Sequence, residues 1–133
     1  MMTNSISHSL FILYVADQTK STAFYSALLQ MQPTLDVPGM TEYTLSDSSK
    51  LGLMPNKGIA KILGDQVPHP QTGNGIPRCE IYWTVSDLDA VFQHAVALQI
   101  KVIAEPSAMD WGHRVCYLAD EDGHIIAFAQ PIQ

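Results

Sequence analysis

The chain has 133 residues, 47% of them hydrophobic and 15% charged, with a formal net charge of −6. That much apolar material argues for a folded core, in one domain or in two very small halves sharing it, and against disorder. Seven Lys and Arg against thirteen Asp and Glu, with no basic cluster, argue against nucleic acid or an anionic membrane as a partner, since both need a basic footprint.

Residues 1–8 carry no basic residue and no long apolar stretch, so no signal peptide is expected. The longest apolar runs, such as residues 10–16, are far shorter than the ~20 residues that span a bilayer. Cys79 and Cys116 form neither a CxxC pair nor a zinc spacing, and read as two free, mostly buried thiols. A cytoplasmic, reducing location is the matching expectation.

Residues 10–16 (LFILYVA) read as a buried strand. Asp17 is a good N-cap, and residues 20–31 show helical spacing, with Phe24 and Leu28 on one face and Tyr25 and Leu29 beside them. Pro33 ends that helix. Residues 34–37, 41–45 and 50–54 are three short strands, punctuated by turns at Pro38-Gly39 and at residues 47–49. Residues 55–77 hold four prolines and four glycines. One helical turn is expected at 59–63, and linker elsewhere.

The pattern then restarts. Residues 79–85 (CEIYWTV) read as a strand, and Ser86 or Asp87 can cap a helix over 88–98, where Leu88, Val91, Phe92 and Ala95 recur at the helical period. Residues 101–104, 114–119 and 125–130 are strands, with turns or loops at 105–112 and 120–123. Each half thus runs strand, Asp-capped helix, three strands. Val15-Ala16-Asp17 corresponds to Val85-Ser86-Asp87, and Leu45-Ser46-Asp47 to Leu118-Ala119-Asp120. Such a repeat is an architectural signal, because each half alone buries too little surface. The expected fold is α+β, built of tandem βαβββ modules. Module one covers 6–55, the linker 56–77 and module two 78–133.

Residues 111–124 (WGHRVCYLADEDGH), followed by the strand 125–130, resemble the closing "WG…R…DPDG[NH]" segment of the vicinal oxygen chelate superfamily, which holds glyoxalases, bleomycin resistance proteins and extradiol dioxygenases. Phe24-Tyr25 and Leu28-Leu29 resemble the "FY…LG" of its first helix, with Gln30 in the glycine's place. The resemblance covers nearly the whole chain. It implies a curled mixed sheet around one cavity, each module forming half a barrel with its helix outside, and in many members a homodimer whose subunits share sites.

Metal-dependent members place ligands on the first and last strand of each module. Here those positions map to Leu10, Met54, Glu80 and Ala127. Only Glu80 among them suits a hard divalent cation, and a catalytic zinc site needs about three protein ligands. The histidines do not supply the others. His8 precedes the first strand or opens it, and His124 sits in the last turn. His69, His94 and His113 fall in the linker, a helix and a loop. No metal ligation and no cofactor are therefore expected, with a divalent metal kept as the alternative. Arg78, Glu80, Trp111, Gly112 and Arg114 resemble the metal-free bleomycin-resistance-like branch.

Strand alternation places Glu80, Tyr82 and Thr84 on one face, with Ile81, Trp83 and Val85 under the helix. Leu10, Ile12 and Tyr14, then Met54, then Ile125, Ala127 and Ala129 share the corresponding inward faces. The candidate ligand-binding set is Glu80, Tyr82, Trp111, Arg114, Tyr14 and Met54, an apolar and aromatic lining with a carboxylate. Glu80 can neutralise a cationic ligand or act as a base, and is the candidate if any residue is catalytic. It can equally pair with Arg78 or Arg114. Trp111 can stack on a ligand or plug a subunit interface. Tyr82 and Tyr14 can donate to a ligand or serve as core, and Met54 and Met109 suit packing. Asp122-Gly123 reads as a turn.

Three functions stay open. The first is a metal-independent protein binding a small organic ligand, aromatic or cationic, in an apolar cavity. The second is a metal-dependent glyoxalase-like lyase, isomerase or dioxygenase. The third is a dimeric module with a vestigial pocket. No nucleophile-and-base pair, phosphate loop or nucleotide motif points to other catalysis.

Overall fold

The structure is a computed structural model and describes residues 5–133. The N-terminal segment read above as lacking a signal peptide lies partly outside them. The chain divides into two compact units, Met1–Thr72 and Gly73–Gln133.

In the first unit, strand β1 (Ser9–Val15) leads into helix α1 (Gln18–Leu29), followed by β2 (Leu35–Val37), β3 (Met40–Ser46) and β4 (Ser49–Pro55). The Asp17 carboxylate accepts from the Lys20 backbone N–H and caps α1. The helix ends on Gln30 in the left-handed region, φ 53°, with its N–H donated to the Ser26 carbonyl. Pro38-Gly39 forms the two-residue turn between β2 and β3, and Gly39 takes φ +95° there. Strand order is β1-β4-β3-β2, with β1 parallel to β4 and the other pairs antiparallel.

Alternation along these strands buries Leu13, Val15, Thr41, Tyr43, Leu51 and Leu53 against α1, where Tyr25 and Leu28 meet them. The buried Tyr43 hydroxyl donates to the Thr22 carbonyl at 2.8 Å and is also bonded to Ser26 Oγ, satisfying the phenol inside the core.

Residues 56–77, expected to be linker with one helical turn, hold more structure. Helix α2 (Asn56–Leu63) is followed by short 3₁₀ turns at Gly64–Gln66 and Pro70–Gly73. Pro55 sits just ahead of the helix, where its missing N–H costs nothing.

The second unit repeats the order. β5 (Glu80–Thr84), α3 (Leu88–Ala97), β6 (Lys101–Ala108), β7 (His113–Ala119) and β8 (Ile125–Pro131) form a sheet ordered β5-β8-β7-β6, with β5 parallel to β8. Asp87 caps α3 by accepting from the Ala90 N–H. Ile126, Phe128, Cys116 and Leu118 are buried on the face packed against α3, and Trp83 meets Phe128 with ring centroids 5.6 Å apart.

The fold is therefore α+β and built of tandem βαβββ modules, but the ladders form two four-stranded mixed sheets rather than one continuous curled sheet. β6 runs through Glu105 and Pro106, residues expected in a loop. It is the edge strand, where a proline leaves no ladder bond unmade, and register shifts accommodate it. β7 begins at His113, one residue earlier than expected. Cys116 is buried as expected, whereas Cys79 is exposed, because it lies just before β5 rather than inside it.

Candidate functional site

The register of the second sheet sorts its two faces. Tyr82 lies beside Ala127, Thr84 beside Ala129, Val115 beside Ala129 and Tyr117 beside Ala127. These residues, with Glu80 and His113, occupy the face turned away from α3. Val115, Ala127 and Ala129 form a buried cluster there, with Met109 and Tyr117 packed against it.

Above that cluster, three polar aromatic groups meet. The Tyr82 hydroxyl lies 2.7 Å from His113 Nδ1, and the indole Nε1 of Trp111 donates to the same hydroxyl at 2.9 Å. The Tyr82 and His113 rings are near-parallel, 28° between planes, with centroids 5.9 Å apart. Tyr82 belongs to β5 and His113 to β7, with β8 between them, so the tyrosine must reach across a whole strand, about 10 Å for two strand spacings. Ala127 and Ala129 on the intervening strand leave that path open.

Trp111 is carried by the turn joining β6 and β7. The Met109 N–H donates to the His113 carbonyl at 2.8 Å, and Gly112 holds φ +86°. Trp111 is 57% exposed, with its N–H anchored and its ring uncovered.

Glu80 is exposed at the start of β5. Its expected partner Arg114 points to the other face, pairing with Asp89 of α3 at 3.1 Å. Its ladder neighbour Gln130 accepts there from the Leu88 N–H. Among the described residues Glu80 forms no ion pair with Arg78 or Arg114. Its negative charge acts instead on Tyr117. That phenol is held above its ordinary pKa, chiefly by desolvation and then by the Glu80 and Tyr82 charges.

Of the candidate set, the structure thus brings Tyr82 and Trp111 into contact and keeps Glu80 on their face. Arg114 is on the opposite face, because His113 and Val115 fix the alternation of β7. Tyr14 and Met54 lie side by side on the open face of the first sheet, sharing it with Leu10, Ile12 and Gly52. Gly52 keeps that face low. A Cβ there would stand 3.1 Å from Ile12 Cγ1 and 3.3 Å from Leu10 Cδ1. Elsewhere in the first unit, an open groove of about 630 Å³ is lined by Gln18, Thr22, Asp36 and Pro38. His113 stands in this cluster although the sequence suggests a loop there; its signal is the alternation His113, Val115, Tyr117 along β7.

The four family metal positions do not fit a metal. Leu10 lies beside Lys50, Met54 beside Tyr14, Glu80 beside Ile125, and Ala127 beside Tyr82. They supply one carboxylate between them. Among the described residues, a different grouping, Asp120, Asp122 and His124, brings three ligand atoms within 4.8 Å of one another. Asp120 Oδ1 there also accepts the N–H groups of Asp122 and His124, each at 2.9 Å, which ties the turn between β7 and β8.

Residues 5–128 match the family model of the Glyoxalase/Bleomycin resistance protein/Dioxygenase superfamily. The chain belongs to this superfamily. Uncharacterized proteins of Mycobacterium bovis and Mycobacterium tuberculosis are 27% identical to it over 124 residues. The match covers 91% of this chain and 81% and 72% of theirs. Among solved structures, a glyoxalase-related enzyme from Fulvimarina pelagi superposes with a TM-score of 0.77 at 19% identity, covering 97% of this chain and 88% of that one. TnmS3, an antibiotic binding protein from a Streptomyces species, superposes with a TM-score of 0.72 at 23% identity, covering 98% and 99%. These likenesses carry the glyoxalase fold. No helix among the described residues is long and apolar enough to cross a membrane.

Proposed function

We propose that this superfamily member binds a small organic ligand, aromatic or cationic, without a metal ion, on the open face of its second sheet. The observation that carries the reading is the Trp111–Tyr82–His113 cluster. An exposed indole is pinned through its N–H to a phenol, and the phenol to an imidazole, above an apolar floor of Val115, Ala127 and Ala129. A flat ligand gains area on the pinned indole at little entropic cost, because the ring is already ordered. Glu80, exposed on the same face, supplies a negative charge to a cationic ligand. The metal-free part rests on Leu10, Met54 and Ala127 at the family's ligand positions. The superposition with an antibiotic binding protein supports the same direction.

A homodimer belongs to this reading. The exposed β1 side chains Leu10, Phe11 and Ile12 support it, since apolar side chains in a row on an edge strand suit a partner surface. Two free cysteines, one of them exposed, support a reducing, cytoplasmic location.

A second reading, a metal-dependent lyase, isomerase or dioxygenase, is supported by the Asp120, Asp122 and His124 grouping alone. Metal analysis after dialysis, with and without chelator, separates the two. The first reading expects no stoichiometric Zn, Mn, Ni or Fe and ligand binding indifferent to chelation. Retained metal at one equivalent, with binding lost on chelation, contradicts it.

A further inference from the structure

One hydrogen-bond direction in the aromatic cluster is fixed by chemistry. An indole nitrogen only donates, so Trp111 Nε1 occupies one lone pair of the Tyr82 oxygen. Tyr82 hydrogen-bonds to no other group among the described residues than Trp111 and His113. With Nδ1 protonated, the Tyr82 oxygen would accept twice and its own proton would have only solvent to bond. With Nδ1 bare, the phenol proton bonds to it at 2.7 Å, and the imidazole carries its hydrogen on Nε2.

That Nε2–H has no hydrogen-bond partner among the described residues. No buried side-chain nitrogen or oxygen lacks a partner there, so Nε2 is open to solvent. His113 is half-buried, which makes its free donor costly to cover with an apolar surface.

We propose that Tyr82 is a positioning residue that locks His113 as the Nε2–H tautomer, and that this donor selects a ligand bearing an acceptor oxygen, such as an aryl ketone. The Trp111 indole sets the direction of the Tyr82 bond, and the Tyr82 bond sets the tautomer. The remaining ionisable groups on this face, Glu80 and Tyr117, offer a carboxylate and a high-pKa phenol. The ligand half of this proposal rests on the binding reading above; the tautomer half does not.

The test is a long-range ¹H–¹⁵N correlation spectrum of histidine-labelled protein above the imidazole titration, recorded for wild type, Tyr82→Phe and Trp111→Phe. Wild-type His113 should show a pyridine-like Nδ1 and a pyrrole-like Nε2. Tyr82→Phe should move both nitrogens toward the averaged position of a tautomer mixture, with the backbone spectrum otherwise retained, and Trp111→Phe should do so partly. A protonated Nδ1 in wild type, or an unmoved tautomer in Tyr82→Phe, overturns the lock. Acetophenone and α-methylstyrene, alike in shape but differing in the acceptor oxygen, then probe selection. Acetophenone should bind roughly tenfold tighter and shift His113 Nε2. Equal binding overturns the donor role while leaving the tautomer standing. No binding of either overturns the ligand half, while the site reading is tested separately by titration with an aromatic cation.

Discussion

The Trp111 indole and the His113 imidazole never touch as donor and acceptor; each is bonded to the single hydroxyl of Tyr82, at 2.9 and 2.7 Å. That one oxygen ties the turn between β6 and β7 to β5 across the intervening strand. It converts three separate side chains into one ordered surface.

The bridge depends on small residues in β8. Ala127→Leu would put a branched side chain under the Tyr82 ring, in a cluster already fully buried. The expected result is a loss of about 1–3 kcal/mol in stability by urea titration. It is also a broken Tyr82–His113 bond, seen as a change in the His113 ring signals. Ala127→Leu with those signals unmoved would mean that Tyr82 does not cross over β8.

Gly123 closes the turn between β7 and β8 at φ +87°, and a Cβ there would lie 2.6 Å from Gly75 Cα. Gly75 itself donates to the Asp122 carbonyl at 2.8 Å. Gly123→Ala thus meets backbone in a left-handed conformation, and should cost more than about 2 kcal/mol. Faster amide exchange at Gly75 than in wild type would accompany it.

Gln30 ends α1 at φ 53°, in a conformation that glycine adopts freely. Gln30→Gly should raise stability by about 0.5–1 kcal/mol in urea titration, the relief of strain being partly offset by glycine's greater freedom when unfolded. A loss of stability would show that the Gln30 side chain contributes more than its backbone costs.

Alkaline unfolding should follow buried acids that the fold keeps protonated. Burial pushes the Cys116 thiol above its ordinary 9.0, and burial, only partly offset by the Ser26 hydrogen bond, pushes Tyr43 above 10.0. In this window the folded state holds protons that the unfolded state releases, so stability is full below pH 9 and falls as pH rises through the folded values. The urea midpoint measured from pH 8 to 11 should decline from about pH 9. Cys116→Ala should delay that decline toward pH 10, where Tyr43 takes over.

Much of the fold was legible because its signals are local. Asp17 and Asp87 cap their helices as read, since a carboxylate before an amphipathic run satisfies free N–H groups whatever the tertiary context. Glu80, Tyr82 and Thr84 share a face as read, because strand alternation has no freedom once one residue is placed. Less was legible where tertiary position decides. Pro106 signals a loop in isolation, yet an edge strand accepts it. Pro55 and Gly64 bracket the helix Asn56–Leu63, where the sequence suggests a single turn at 59–63 and linker around it. Arg114 and His113 point to opposite faces, and which of them meets Tyr82 depends on the pairing register of β7 with β8. The Tyr82 bridge could not be read at all, because it needs the order of strands β5, β8 and β7.

The Trp111–Tyr82–His113 face, with Glu80 beside it, is the proposed metal-free site for an organic ligand. The most direct measurement is a titration of metal-stripped protein with an aromatic cation, such as a phenyl-trimethylammonium salt, followed by side-chain NMR in wild type and Glu80→Gln. Shifts confined to Trp111, Tyr82, His113 and Tyr117, unchanged by added zinc and weakened about three- to tenfold in Glu80→Gln, are the predicted result. Shifts that appear only after metal is restored, or that centre on Asp120, Asp122 and His124, would contradict it.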